Sequence, residues 1–257
     1  IQHTLICPHR DLPLFADLGK RNRRVVSYQD ILPRGYRQIP LLKRWWLDPG
    51  GFPVRGWMMQ QLVKLAAAAQ SDAEYIVIVD SDIVFCRPID EELFFRDGAI
   101  RLVATPLKSE DKDHTVWQRL SERLLWISPQ QQFPNYVGQL MSWSPDVLRQ
   151  MLSRVEKHAD KPWFKTLGRL ITVSEYTLYS NFAQHLYEGR AKHFLDSQAI
   201  SLDLWRADDL VRLKEKRLPL NNRMIAVLIQ SNLQLSQTEE NTVLQHCKAA
   251  LQELHTP

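Results

Sequence analysis

Tyr75-Ile-Val-Ile-Val-Asp-Ser-Asp-Ile-Val-Phe-Cys-Arg-Pro88 is the stretch on which the rest of the chain is read. Ile76 to Val79 are β-branched without a polar break. That pattern predicts a short strand buried on both faces of a parallel sheet. The run stops at Asp80 and Asp82, with Ser81 between them. In open α/β sheets, ligands sit just beyond the carboxyl ends of the strands. Two carboxylates there repel each other and lose hydration, and a hard divalent cation with oxygen ligands removes both penalties. Such a cation would in turn hold an anionic phosphate ligand.

Upstream, Thr4 to Cys7 reads as a strand, Pro13 to Lys20 as a helix and Arg24 to Tyr28 as a second strand. A strand, helix, strand opening implies a parallel sheet covered by helices. The Pro8-His-Arg-Asp11 loop then lies at a strand's carboxyl end, where Arg10 and Asp11 could hold a nucleoside. The competing reading is a plain polar connection. Between 33 and 56 the prolines and glycines (Pro33, Pro40, Pro49-Gly-Gly51, Pro53, Gly56) predict no regular element. Within that stretch Leu41-Leu-Lys-Arg-Trp-Trp-Leu47 is both basic and aromatic. It suits a membrane interface, a stacked ligand, or a loop whose tryptophans are core. Trp57 to Ala69 is an Ala-rich helix whose only ionised group is Lys64. A lone Lys on so apolar a helix needs an anionic partner or must snorkel to water. A phosphate would meet the first need, with Gln60 or Gln61 on a nucleobase.

Downstream, Leu102 to Pro106 and Tyr136 to Trp143 read as strands, and Thr115 to Leu125 as a helix. Ser144-Pro-Asp146 is a helix start, with an N-cap serine, proline in the first turn and an acid near the positive end. Thr172-Val-Ser-Glu175 fits a capping box that opens a helix closed by Gly189. Glu175 therefore has a structural explanation as well as a catalytic one. Phe194 to Asp196 and Ile200 to Trp205 are strand-like, and Asp208 to Arg217 is a charged surface segment. Met224 to Gln230 is a second buried strand, ending in Gln230-Ser-Asn232, and Gln237 to Leu254 is an amphipathic terminal helix.

The 257 residues can bury a sizeable core, and 44% apolar with 24% charged residues is ordinary for a globular protein. A formal charge of +4 suits an anionic ligand or an anionic membrane surface but is too weak to argue for nucleic acid. Cys7, Cys86 and Cys247 show no metal-ligand spacing and read as reduced thiols of a cytoplasmic protein. No apolar run is long enough to span a bilayer, and the stretch from Ile1 reads as entering a strand directly, with no signal peptide in it.

Asp80-Ser-Asp82 at the end of its hydrophobic run resembles the acidic motif of GT-A-type metal-dependent glycosyltransferases. Gly56 to Leu65, Ser174 to Tyr179 and the late strand ending in Gln230-Ser-Asn232 resemble an uncharacterised bacterial family of GT-A-like proteins. The resemblance implies a single α/β domain over 1–257 with a mostly parallel, Rossmann-like sheet. About 1–106 would bind the nucleotide-sugar donor and about 107–257 would shape the acceptor site. Asp80 and Asp82 would hold Mn2+ or Mg2+ on the diphosphate of a sugar nucleotide, a UDP-sugar being favoured. Pro8, Arg10, Asp11 and Gln61 would take the nucleoside, Ser81 would line the donor and Lys64 would meet the phosphates. In many such enzymes a late histidine completes the metal shell, and here no histidine follows the Met224 strand closely. His193 is a distant substitute, and Ser231 or Asn232 stands nearer that place. Glu175 would be the base of an inverting transfer, ahead of Asp111 and Asp113. Trp117, Trp126, Trp143 and Trp163 would offer stacking faces to sugars or fill the core. A bacterial surface glycan or glycolipid is the implied acceptor, with peripheral contact at the inner face of the membrane. Two rivals stand beside this. Asp80-Ser-Asp-Ile-Val84 also fits a haloacid-dehalogenase-type phosphatase, with Asp80 as nucleophile. The same fold could also bind a nucleotide without catalysis.

Overall fold

The computed structural model describes residues 1–18, 22–42, 44–107 and 112–253, so Lys20, Lys43, Asp111 and Leu254 of the readings above lie outside it. The protein is mixed α/β, 43% helix and 20% strand. Its strands form sheets of two or three rather than one extended parallel sheet, which corrects the Rossmann-like expectation. Two compact units interleave along the chain. Ile1–Glu74, Lys112–Gln131 and Pro145–Tyr187 form the first; Tyr75–Asp111, Gln132–Ser144 and Glu188–Pro257 form the second. No helix among the described residues is long and apolar enough to cross a membrane.

In the first unit, β1 (His3–Cys7) and β2 (Arg23–Ser27) pair in parallel, His3 beside Arg23, as the opening pattern predicts. The segment between them is not a free Pro8–Asp11 loop followed by an α-helix. A 3-10 helix runs His9–Leu18, and the Asp11 N–H donates to the Pro8 carbonyl (2.8 Å). Pro13 inside it has no N–H to donate, which disfavours a regular α-helix there. Ser27 then caps α1 (Tyr28–Ile31) in a reciprocal box with Asp30. Residues 33–56 are not irregular either. They hold an antiparallel ribbon of β3 (Arg37–Gln38), β4 (Trp45–Leu47) and β5 (Pro53–Arg55). The ribbon survives its prolines because Pro40 and Pro49 lie in its turns and Pro53 opens a strand, where the ladder needs no N–H. Asp48, 3% exposed, organises the second turn by accepting from the Gly50 and Phe52 amides (2.8 Å each). Gly51 completes that turn at φ +81°, which favours glycine.

Five helices build the first unit's core: α2 (Gly56–Ala69), α3 (Lys112–Leu125), α4 (Pro145–Ala159), α5 (Trp163–Gly168) and α6 (Glu175–His185). α2 packs on α4 and α5, and α3 packs on α4 and α6. Met58, Met59, Leu62, Leu65, Val147, Leu148, Met151, Leu178 and Tyr179 are all buried there. Each such side chain contributes roughly 1.5–3 kcal/mol. Polar groups join the α3–α6 contact. Gln118 Nε2 donates to Asn181 Oδ1 (3.0 Å), and Asn181 Nδ2 donates back to Gln118 Oε1 (2.9 Å).

The second unit holds β6 (Ile76–Ile78), β7 (Ile83–Phe85), β8 (Phe95–Arg96), β9 (Ala99–Val103), β10 (Met141–Trp143), β11 (Lys192–Asp196), β12 (Ser201–Leu204), α7 (Ala207–Lys214), β13 (Ala226–Ile229) and α8 (Gln237–Glu253). The charged 208–217 segment is thus mostly helix, and the strand expected over 136–143 shrinks to its last three residues. The deciding stretch does not behave as predicted. β6 pairs antiparallel with β10, its three residues are only half-buried, and Val79 is 43% exposed. An unbroken β-branched run reports a poor fit to water, but it does not choose the partner or its direction. Parallel pairing occurs between β9 and β11 and between β12 and β13. Leu202, Leu204, Val227 and Ile229 pack with Cys247 and Leu251 of α8. Arg101 and Arg223 clamp Asp196, with Nε to Oδ2 at 2.7 Å and Nη2 to Oδ2 at 2.8 Å.

Candidate functional site

Two groups of polar side chains stand out, one in each unit. In the second unit Asp80-Ser81-Asp82 forms the turn between β6 and β7, closed by the Ile83 N–H on the Asp80 carbonyl (3.3 Å). β13 lies between β7 and β12, so Ile83, Leu228 and Asp203 stand side by side across three strands. The Ile229 N–H donates to the Asp82 carbonyl (3.3 Å), and the Gln230 N–H donates to that of Leu204 (3.1 Å). The end of β13 that leads into Gln230, Ser231 and Asn232 is therefore at the acidic turn. Ser231 and Asn232 are exposed, in a 3-10 turn that begins at Ser231.

Asp203 is the residue that sequence reading missed here. Its Oδ1 is buried and has no hydrogen-bond partner among the described residues. Burial lifts its pKa to about 6; the charges of Asp82 and Asp209 push the same way, and the Ser201 and Trp205 side chains oppose them. The available signal was an acid in the middle of an otherwise apolar strand pattern, Ser-Leu-Asp-Leu, where aspartate is a poor strand former. Among the described residues no three His, Cys, Asp or Glu side chains gather as a metal cage. Asp82 and Asp203 nevertheless offer hard oxygen donors, the kind that a divalent cation such as magnesium takes. Such a cation takes one or two carboxylates and fills its shell with water and ligand phosphate. His193 sits in β11 opposite Ile100, in a different sheet from β7, and burial lowers its pKa to about 4.

In the first unit the centre is Glu175, 2% exposed at the first position of α6. It is not part of a capping box. Ser174 is the N-cap, accepting from the Thr177 N–H (3.2 Å), while Thr172 Oγ1 accepts from Trp117 Nε1 (2.6 Å). The Glu175 carboxylate turns to α2 instead. Lys64 Nζ donates to Glu175 Oε1 (3.2 Å) and to the Tyr176 hydroxyl (2.9 Å), and lies over the Tyr176 ring. With its amide oriented to satisfy its neighbours, Gln61 donates to the same carboxylate and accepts from Trp57 Nε1 (3.2 Å). Trp57 stacks on Trp117. The anionic partner that Lys64 requires is thus supplied inside the unit.

The remaining candidates are dispersed. Arg10 is exposed, donates to Gln38 Oε1 (3.1 Å) and pairs with Asp11 (3.4 Å), while Pro8 supplies the carbonyl that starts the 3-10 helix. Asp113 lies exposed in the first turn of α3. Of the four tryptophans considered for sugar stacking, Trp143 is fully buried and Trp117 is stacked on Trp57. Trp163 meets Phe164 edge-on, and Trp126, 70% exposed, lies flat on His158 (4.6 Å between centroids). Fold and site together define a mixed α/β protein with an acidic turn in one unit and a buried Lys–Glu–Gln knot in the other. The chain belongs to a family of unknown function, DUF6492, whose model matches residues 1–251. No curated protein matches it.

Proposed function

We propose that the chain is a metal-dependent glycosyltransferase of GT-A type, moving a sugar from a nucleotide sugar, a UDP-sugar by preference, to a hydroxyl of a glycan or glycolipid. The observation that carries this reading is a carboxylate oxygen of Asp203, Oδ1, buried without a hydrogen-bond partner among the described residues and within the electrostatic influence of Asp82. Like charges withdrawn from water call for a cation. Asp82 and Asp203 would hold it, Asp80 would reach it through water, and Ser231 or Asn232 would contribute a neutral oxygen. Bound there, Mn2+ or Mg2+ would stabilise the charge developing on the departing diphosphate. Within the first unit, Glu175, its carboxylate held by Lys64 and Gln61, is the candidate base.

The test is thermal stability with a panel of nucleoside diphosphates, with and without Mn2+, on wild type, Asp82→Ala and Asp203→Asn. A ligand that binds the folded state raises the melting temperature by mass action. A Mn2+-dependent rise with one nucleotide, lost in both variants, supports the reading, and turnover of the matching sugar nucleotide completes it. No rise with any nucleotide, together with Mg2+-dependent release of phosphate from simple phosphomonoesters, would overturn it.

A further inference from the structure

The β3–β4–β5 ribbon carries surface chemistry that sugar transfer does not use. Strand alternation sorts its two faces. Trp46 and Val54 point inward, 4% and 0% exposed, so Trp45 and Arg55, paired across β4 and β5, share the outer face with Arg37. At the tip between β3 and β4, Leu41 is 100% exposed and Leu42 52%, beside exposed Arg44 and Trp45. Leu41 also holds φ +68°, a left-handed conformation that a branched side chain rarely adopts. Two leucines and an indole edge held in water gain nothing for the chain alone.

The charges around the tip are of one sign. From 37 to 55 the sequence has Arg37, Lys43, Arg44 and Arg55 against one acid, Asp48. Asp48 is buried and held by Arg169 (3.3 Å), so it does not offset them at the surface. An apolar tip with an indole behind it and a rim of arginines matches an anionic bilayer surface. Leucines suit the acyl boundary, Trp the headgroup level, and arginines snorkel to lipid phosphates. We infer that this ribbon is a membrane-docking element, which inserts Leu41 and Leu42 into the headgroup region of an anionic lipid surface. The inference stands apart from the reaction proposed above, since none of these residues belongs to either polar group.

The experiment is co-sedimentation of the full chain with vesicles of phosphatidylcholine alone and of phosphatidylcholine mixed with phosphatidylglycerol. Wild type is expected in the pellet with the mixed vesicles and in the supernatant with the neutral ones. Leu41→Ser combined with Leu42→Ser should cut binding at least tenfold at every salt concentration. Arg44→Glu should cut it at low salt, keeping the backbone bond from Gly56 to the Arg44 carbonyl. Arg212→Glu, the same charge change at a partly exposed position of α7, should leave binding within twofold. Both tip variants should melt as wild type does, because the altered side chains are exposed. The inference fails if wild type stays with the supernatant, if the leucine variant pellets undiminished, or if Arg212→Glu weakens binding as much as Arg44→Glu. It fails equally if wild type self-associates in sedimentation velocity through Leu41 and Leu42 while ignoring vesicles, since the tip would then join two copies of this chain.

Discussion

Lys64 and Glu175 depend on each other, because each leaves a poorly hydrated charge when the other is removed (their side chains are 18% and 3% exposed). Lys64→Met should therefore lower unfolding free energy by about 3 kcal/mol, and adding Glu175→Gln should recover part of that loss. Urea titration of the two variants measures both, and a Lys64→Met cost near zero would mean that Lys64 reaches water instead. Asp196 gives a pH signature. Burial would raise its pKa, but Arg223, Arg101 and the Gln198 N–H outweigh burial and hold it at about 2. A folded pKa below the unfolded value near 3.8 adds stability that is complete above that value and is lost as pH falls through it toward about 2. The loss should be roughly 2 kcal/mol, visible as a falling melting temperature in that window and smaller in Arg223→Met, where Arg101 and the Gln198 N–H still hold the carboxylate. An acidic partner class for Lys64 was legible from a lone cation on an apolar helix. Asp203 was not, because the charge of Asp82 that acts on it comes from two strands away, a neighbour that only the pairing of β12, β13 and β7 supplies.

Elements were legible where one local rule sufficed. α2 and α4 follow from periodicity and from proline at the first helical position, and β1 and β2 from their short apolar runs. The ribbon was hidden because its prolines and glycines argue against strands one by one, while the turn that forgives them is organised by one buried carboxylate, Asp48. α2 itself begins under a constraint from that ribbon. The Gly56 N–H meets the Arg44 carbonyl at 2.6 Å, and a Cβ on Gly56 would come within 3.1 Å of the same oxygen. Gly56→Val should accordingly destabilise by about 2 kcal/mol through backbone displacement, read by thermal melting. The capping of α6 is separately checkable. Ser174→Ala should cost about 1 kcal/mol and speed amide exchange at Thr177, whereas Thr172→Val should leave that exchange rate unchanged. The shift of the cap from Thr172 to Ser174 could not be read locally, since the Thr172 hydroxyl is taken by Trp117 from another helix.

At the scale of the molecule, sheet topology was the least legible feature, because pairing partners lie far apart. Ala99 pairs with Lys192, and Val84 with Val227. Such separations make loop closure slow and predict refolding in the range of milliseconds to seconds or longer. The chain passes between its two units five times. A fragment of residues 1–106 takes only part of each, and should show no cooperative melting transition by circular dichroism. Synthesis on the ribosome gives the same arrangement an order in time. The last segment of the first unit ends at Tyr187, whereas the strand that braces the acidic turn, β13, is not made until Ile229. A nascent chain can thus finish its helical unit while the acidic turn still lacks β12 and β13, the strands that complete its sheet. The acidic turn gains these strands only once Ile229 has been made, and a chain cut short before β13 would be released without them.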